Sequence, residues 1–294
     1  MSFILKLTII CPLYNGEKYI KDLYNGICAQ KNVEIEEIKF ILTESQDKSE
    51  YILKELNLNY EKIKAEEFSH SLVREKEGLK AKGDIIVFIT QDIKIVDDNW
   101  LYELVKSIEC GECEAAFSRQ IAYKDHYIEK YTREVNYPSN SRIVSKDDIE
   151  KLGLMTFFFS DASSAISKKV FTELKGYDGK NLPTNEDMYF AYKLIMNGYR
   201  IKYASESKVI HSHNLNFKET FKRYKDIGKF FKENSYLNLY GANERGISVL
   251  FYILKRTISE KKINLIPSIF VNFISRFIGI KVGKLKVNNK EIIK

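Results

Sequence analysis

Along the first hundred residues, short apolar runs alternate with segments of helical spacing. Residues 7–11 form an apolar run stopped by Pro12 and Asn15-Gly16, which reads as a buried strand and then a loop. Residues 17–29 have helical spacing, and 39–42 give a second strand. The polar stretch 43–47 leads into a helix through Leu56, with Asp47 or Ser49 as its cap. Residues 63–65 predict a third strand and 71–82 a helix with Gly83 at its C-cap, while 85–90 are strongly β-prone. Strands alternating with helices predict an α/β fold, a mostly parallel sheet with helices on both faces. Ligands of such sheets bind beyond the carboxyl ends of the strands. The polar loops 12–16, 43–47 and 90–92 fall there, although loops are polar in any such fold.

Further on, residues 123–135 have helical spacing and Asn136-Tyr137-Pro138 breaks it. An aromatic run at 156–159 is followed by Ser160-Asp161-Ala162. Asn185-Glu186-Asp187 opens a helix through Met196, with Gly198 as its stop. Both carboxylates fall in the first turn, where the positive helix end favours anions, and acids there also occur for that reason alone. The last third changes character. Phe217, Phe221, Tyr224, Gly228 and Phe231 follow helical spacing, with Lys218, Lys222, Arg223, Lys225 and Lys229 on the other faces. Between residues 246 and 290 the only acid is Glu260, among many Lys and Arg. Residues 263–280 are apolar but interrupted by Asn264, Pro267, Asn272 and Arg276. A bilayer span needs about 20 mostly apolar residues, so the stretch predicts a basic amphipathic helix on an anionic membrane surface rather than a crossing. The same pattern suits a helix packed on the domain or joining two copies of the chain. The expected organisation is a sheet domain over 1–235 and a helical C-terminal region over 236–294.

With 44% hydrophobic and 30% charged residues in 294, the chain is globular, neither disordered nor collagen-like nor a multi-span membrane protein. A net charge of +7 fits an anionic partner such as phosphates or a membrane surface. No nucleic-acid reader motif is present and the positive charge lies in the tail, so nucleic acid is not an expected partner. Cys11, Cys28, Cys110 and Cys113 are no disulfide scaffold. Cys110 and Cys113 have C-x-x-C spacing with no second pair and no nearby pair of histidines, and read as incidental thiols of a reducing, cytoplasmic compartment. The first residues carry Lys6 within the apolar run and read as a strand rather than a signal peptide.

Three places could carry chemistry. Asp92 follows a buried strand at the ligand edge, and a carboxylate there can share a divalent cation with a diphosphate; it can equally be a turn residue. In His211-Ser212-His213, strand spacing would put both imidazoles on one face and within reach of a metal, whereas on a loop the spacing says nothing. Glu186-Asp187 offers a carboxylate to deprotonate an acceptor hydroxyl. With a cation on the leaving diphosphate, Asp92 and Asp187 would make a glycosyl-transfer site. A single acceptor-side carboxylate implies one displacement with inversion, unlike the paired carboxylates of retaining hydrolases.

These residues resemble a known family. TIICPLYNGEKYI, the TQD after IIVFI, and the Asn-Glu-Asp helix start look like a family 2 glycosyltransferase of the GT-A fold. FSHSLVREKEGLKAKGDIIVFITQD, NYPSNSR, TFFFSDASSAISKKVF, EDMYFAYKLIMNGYRIKYA and VIHSHNLNFKETFKRYKDIGKFF resemble its bacterial rhamnosyltransferase branch over about residues 5–235. The resemblance implies that Pro12, Tyr14 and Asn15 meet the donor nucleotide and that Asp92 is the last acid of the family's metal motif. Thr90 replaces the first acid of that motif, with Gln91 between them. Asp187 is implied as the base, helped by Glu186, and His211 as a group near the metal, with His213 less favoured. Arg74, preceded by His70, is implied to support the donor pocket. Where the family has an Asp reading the base, this chain has Thr43 and Glu44, and after Arg74 it has Glu75 rather than Asn. The implied donor is a nucleotide-diphosphate sugar, dTDP-rhamnose first and a UDP-hexose second. The implied cofactor is Mn²⁺ or Mg²⁺. The implied acceptor is a lipid-linked saccharide at the inner face of the cell membrane. A non-catalytic saccharide- or lipid-binding protein on the same fold is the reading from another class.

Overall fold

The computed structural model describes residues 5–241 and 243–285. In chain order the elements are β1 (Lys6–Leu13), α1 (Ile20–Cys28), β2 (Glu34–Thr43), α2 (Ser49–Glu55), β3 (Tyr60–Ile63), α3 (His70–Leu79), β4 (Ile85–Ile89) and β5 (Lys94–Ile95). There follow α4 (Trp100–Glu109), β6 (Ala115–Ile121), α5 (Tyr127–Asn136), β7 (Arg142–Val144), α6 (Ile149–Leu152), β8 (Ser163–Ser167), α7 (Lys168–Glu173), α8 (Glu186–Met196) and β9 (Ile201–Ile210). The described residues end in α9 (Phe217–Glu233), α10 (Asn243–Ser259) and α11 (Ile266–Leu285). They divide into two compact units. One holds the residues up to 121, 137–182 and 186–211; the other holds 122–136, 183–185 and those from 212 onward. The boundary expected at 235/236 falls inside the second unit, and α5 joins that unit although it lies between strands of the first.

The nine strands among the described residues form one sheet in the first unit, ordered β3-β2-β1-β4-β8-β6-β9-β5, with β7 on β9. The β3-β2-β1-β4 half is parallel, as the alternating pattern predicts. The other half is mixed. β8 runs antiparallel to both β4 and β6, and β6 returns to a parallel pairing with β9. β4 reads IIVFI with every residue buried, because both its faces are covered. On one face, Leu7, Ile9 and Cys11 of β1 and Ile85, Val87 and Ile89 of β4 meet Ile20, Leu23 and Ile27 of α1 and Leu101, Leu104 and Val105 of α4. On the other, Phe88 stacks edge-on against Phe171 of α7, which meets Phe190 of α8. Trp100 begins α4 under the mixed half, and its indole N–H donates to Ser118 Oγ and Ser163 Oγ.

Gly83 is not the cap that its position suggests. α3 ends at Leu79 with Lys80 as its cap, and a Cβ on Gly83 would lie 2.6 Å from the carbonyl oxygen of Lys6. The residue is small because β1 passes against it. The third strand lies at Tyr60–Ile63, slightly earlier than expected.

The second unit is helical. Tyr131 of α5, Val249 and Ile253 of α10, and Ile269 of α11 form its core. Arg256 of α10 pairs with Glu134 at 2.9 Å and Glu260 at 2.7 Å, and Tyr131 donates to Glu260. The polar residues expected to interrupt the last apolar stretch do not. Pro267 sits in the first turn of α11, where its missing N–H costs no helical bond. The stretch Ile263–Leu285 is therefore long and apolar enough, by length and composition alone, to cross a membrane. Lys286 and Lys290 of the basic tail lie outside the described residues.

Candidate active site

The loops after β1, β2 and β4 do converge, and the reason is a lattice of side-chain to main-chain bonds. Asn15 has φ +46°, a conformation Asn tolerates. Its N–H donates to Ser45 Oγ at 2.9 Å, and its Oδ1 accepts from Gln46 N at 3.0 Å. Gly16 N donates to Ser49 Oγ and Glu17 N to Asp47 Oδ2. Gln91 clamps the β4 loop to the β1 loop: its Oε1 accepts from Tyr14 N at 2.8 Å and its Nε2 donates to Tyr14 O at 2.9 Å. A Cβ at Gly16 would lie 2.9 Å from that Oε1. Asn15 and Gln91 thus shape the loop edge through its backbone. The Tyr14 ring remains exposed, Pro12 is half-buried and Glu44 is exposed. Thr43 is buried, and its Oγ1 and that of Thr90 are enclosed without a hydrogen-bond partner.

Asp92, directly after the β4 loop, meets His211, directly after β9. His211 Nε2 lies 3.5 Å from Asp92 Oδ2. His211 is buried, and its Nδ1 is 2.9 Å from Gln120 Oε1 on β6. The Gln120 amide is oriented by its Nε2 donating to Ser160 Oγ at 2.8 Å. A neutral imidazole that donates from Nδ1 to that oxygen keeps its Nε2 for a ligand on the Asp92 side. A carboxylate oxygen beside an imidazole nitrogen held this way fits a divalent cation of the Mn²⁺ or Mg²⁺ kind, the imidazole favouring Mn²⁺. Gln120 was not foreseeable as a partner, because it lies ninety-one residues from His211 and stands in β6 beside Ser118 and Arg119, so its polarity does not single it out. His213 follows two residues later, half-buried, past the end of β9 and of the first unit.

The third assembly surrounds Arg74, buried on α3. Its Nη1 donates to the carbonyl of His70 at 3.0 Å and stands 3.5 Å from Glu186 Oε1, while its Nε is enclosed without a partner. Asp161, in the turn before β8, is also buried and accepts from Ser164 Oγ and from Tyr177 OH, each at 2.7 Å. Asp187 Oδ1 accepts from Met188 N at 2.7 Å in the first turn of α8. Glu186 thus pairs with the guanidinium, and Asp161 and Asp187 lie within reach of its charge. Burial raises the proton affinity of Asp187 well above the usual carboxylate range, and Glu186 and Asp161 raise it further. Burial likewise raises that of Asp161. Burial would weaken the charge on Arg74, but Glu186 and Asp161 outweigh it. Arg74 therefore stands among the carboxylates as their counter-ion. Glu75, the departure after Arg74, has a structural use, accepting from Tyr177 N and from Gly179 N. Cys110 is exposed and Cys113 buried, both free thiols, and burial pushes Cys113 up to about 12.

A parallel half sheet, joined to antiparallel strands, carries one acid in the loop after β4 and a proton-avid carboxylate at the start of α8. That combination is the one expected of a glycosyltransferase. The chain belongs to glycosyl transferase family 2, whose model matches residues 8–175. It is 31% identical over 289 residues to the O-antigen chain rhamnosyltransferase RfbN of Salmonella typhimurium, covering 95% of this chain and 90% of that one. It is 30% identical over 286 residues to the O-antigen chain rhamnosyltransferase WbaN of Salmonella anatum, covering 94% and 89%. Among solved structures it is similar to the mannosyltransferase PcManGT of Pyrobaculum calidifontis, in complex with GDP-Man and Mn²⁺. The TM-score there is 0.65 at 13% identity, covering 97% of this chain and 88% of that one, a likeness of fold. The expected GT-A fold and the resemblance to the bacterial rhamnosyltransferase branch both hold, and the chain is a glycosyltransferase.

Proposed function

We propose that the chain transfers L-rhamnose from dTDP-β-L-rhamnose to a lipid-linked saccharide during assembly of a cell-surface polysaccharide, in the cytoplasm at the inner face of the cell membrane. What carries the mechanism is the carboxylate group around Arg74. Asp187 is the member with strongly raised proton affinity, which suits a general base. Asp187 takes the proton of the acceptor hydroxyl, and the freed oxygen attacks the anomeric carbon of the donor. The bond from that carbon to the diphosphate oxygen breaks on the opposite side, so dTDP leaves and the configuration inverts. Glu186, held near Arg74, orients the start of α8. Pro12, Tyr14, Asn15, Thr43, Glu44, Thr90 and Gln91 line the nucleotide side, and Arg74 supports it from α3. Asp92 and His211, with His213 as third candidate, would hold Mn²⁺ or Mg²⁺, which neutralises charge on the departing diphosphate. The rhamnosyltransferase relatives support the sugar; the membrane surface, and a second copy through the C-terminal helices, are partners read from the chain's own pattern.

The test is a thermal-shift screen of the full chain with dTDP-rhamnose, dTDP, UDP-glucose, UDP-galactose and UDP, each with Mn²⁺, Mg²⁺ or EDTA. A ligand at about 100 times its Kd stabilises the fold by about 2.7 kcal/mol. Selective stabilisation by the dTDP compounds is the expected result. Preference for the UDP compounds keeps the mechanism and removes the donor. No response from folded protein removes both.

A further inference from the structure

The last helix has its polarity reversed relative to a helix folded in water. The buried residues of α11 are Ile269, Ser275, Gly279 and Gly283, mostly small. Ser275 Oγ donates to the carbonyl of Phe217, so the buried stripe faces α9. The contact is between backbones: a Cβ at Gly279 would lie 2.8 Å from Phe221 O, and one at Gly283 2.1 Å from Lys225 O. The opposite face carries Phe270, Val271, Ile274, Phe277, Ile278 and Leu285, with Phe277 63% and Ile274 51% exposed. In water the large apolar side chains should be the buried ones. Small residues inward and large apolar residues outward is the arrangement of helices whose solvent is lipid. On α10, Ile247, Phe251 and Ile258 recur at helical spacing and are also exposed, Phe251 by 67%. Lys255 and Lys261 near them, and Lys281 and Lys284 on α11, are exposed cations.

We infer that α11 lies in the plane of an anionic bilayer as a monotopic anchor, its Phe270–Ile274–Phe277–Ile278 face in the acyl region, and does not cross. Length and composition would permit a crossing. The helix on its other side forbids it. α9 is in backbone contact with α11 through Phe221, Lys225 and Gly228, and carries exposed Lys218, Glu219, Lys222 and Arg223. A crossing α11 would draw those charges to the depth of the acyl chains, where they are strongly disfavoured. With α11 in the plane, α9 stays on the watery side and its cations, with the lysines of α10 and α11, meet anionic headgroups. This deepens the membrane-face reading above, turning a partner into a mode of contact, and it is independent of the donor sugar.

The test uses the full chain and phosphatidylcholine vesicles with or without phosphatidylglycerol. The chain should float with the anionic vesicles, less with the neutral ones, and be released by alkaline carbonate. Replacing two outward side chains, Ile274→Ser with Phe277→Ser, should lower partitioning at least ~10-fold while nucleotide binding is kept. If that variant fails to fold, Phe277→Trp gives a second measurement. The chain has a single tryptophan, the buried Trp100, so quenching by lipids brominated on their acyl chains reports the new residue. Resistance to carbonate would overturn the in-plane placement in favour of a crossing. Equal flotation of the serine variant, or no acyl-chain quenching, would overturn the contact itself. Failure of the wild type to float while it sediments as a dimer would assign the face to a second copy. Donor binding is read separately, so loss of either conclusion leaves the other standing.

Discussion

Replacing Gly283 by alanine sets two effects of opposite sign against each other. Alanine in a helix interior is favoured over glycine by about 0.8–1.0 kcal/mol. At Gly283 the added methyl would stand 2.1 Å from Lys225 O, 3.0 Å from Lys225 C and 2.9 Å from Gly228 Cα. All three are backbone atoms, and none can swing aside as a side-chain terminus would. Restoring ordinary contact needs α9 and α11 to part by roughly 1 Å along much of their shared length, and forced overpacking costs about 1–3 kcal/mol. The clash should win, leaving a net loss of up to about 2 kcal/mol. Gly246 on α10 is the control, because a Cβ there meets nothing within 4 Å. Gly246→Ala should be neutral or stabilising by up to about 1 kcal/mol. Urea unfolding followed by far-ultraviolet circular dichroism measures both, each kcal/mol corresponding to about 2–4 °C in Tm for a chain of this order. If Gly283→Ala stabilised as much as Gly246→Ala, the backbone contact, and with it the argument that α9 accompanies α11, would be wrong.

Two further outcomes concern the site. Asp187→Asn should lower transfer by about 10²–10⁴-fold with nucleotide binding retained. Its effect on stability should have the opposite sign. The folded state raises the proton affinity of Asp187, so the wild type has its full stability below the ordinary carboxylate range and loses it as pH rises through the raised value. The variant should therefore gain in Tm over the wild type with rising pH and lose that advantage in acid; a pH-independent difference would refute the burial argument. Gln120→Leu removes the bond that fixes His211. It should raise the Mn²⁺ concentration needed for donor binding by about 10–100-fold, measured by thermal shift with metal titrated in. An unchanged titration would remove His211 from the ligand set.

The first ninety residues are largely legible because their information is local. Apolar runs of four or five residues, stopped by Pro12, Asn15 or Thr43, mark β1, β2 and β4, whereas β3 reads YEKI and is only grazed by the expected strand at 63–65; the same stops mark the loops that converge. The start of α8 is legible from Asn185-Glu186-Asp187, since a helix onset is a short-range signal. The mixed half of the sheet is not. β6 and β8 are rich in Ala and Ser, and nothing in their spacing says that β8 enters antiparallel between β4 and β6. Long-range polar partners are equally silent. Tyr177 meets Asp161 only because β8 and α7 fold the chain back between them, and Gln120 meets His211 only because β6 pairs with β9. Polar residues along the last apolar stretch point to interruption, whereas Asn272 and Arg276 are accommodated beside the stripe that faces α9. Arg276 Nε donates to Asn272 Oδ1 at 2.6 Å.

The position of β4 has a consequence for synthesis of the chain. Its neighbour β1 precedes it, but the strand on its other side, β8, begins seventy-four residues after β4 ends. At about 5–20 residues per second, roughly 4–15 s pass before that neighbour leaves the ribosome. Throughout that interval Ile85–Ile89 is an uncharged, β-prone strand with one open edge, the kind that recruits strands from other chains. The parallel half can fold early; its protection waits on a segment made much later. A chain cut short between β4 and β8 should therefore precipitate rather than persist as a soluble nucleotide-binding fragment, and production of the whole enzyme should be sensitive to whatever slows elongation between those two strands.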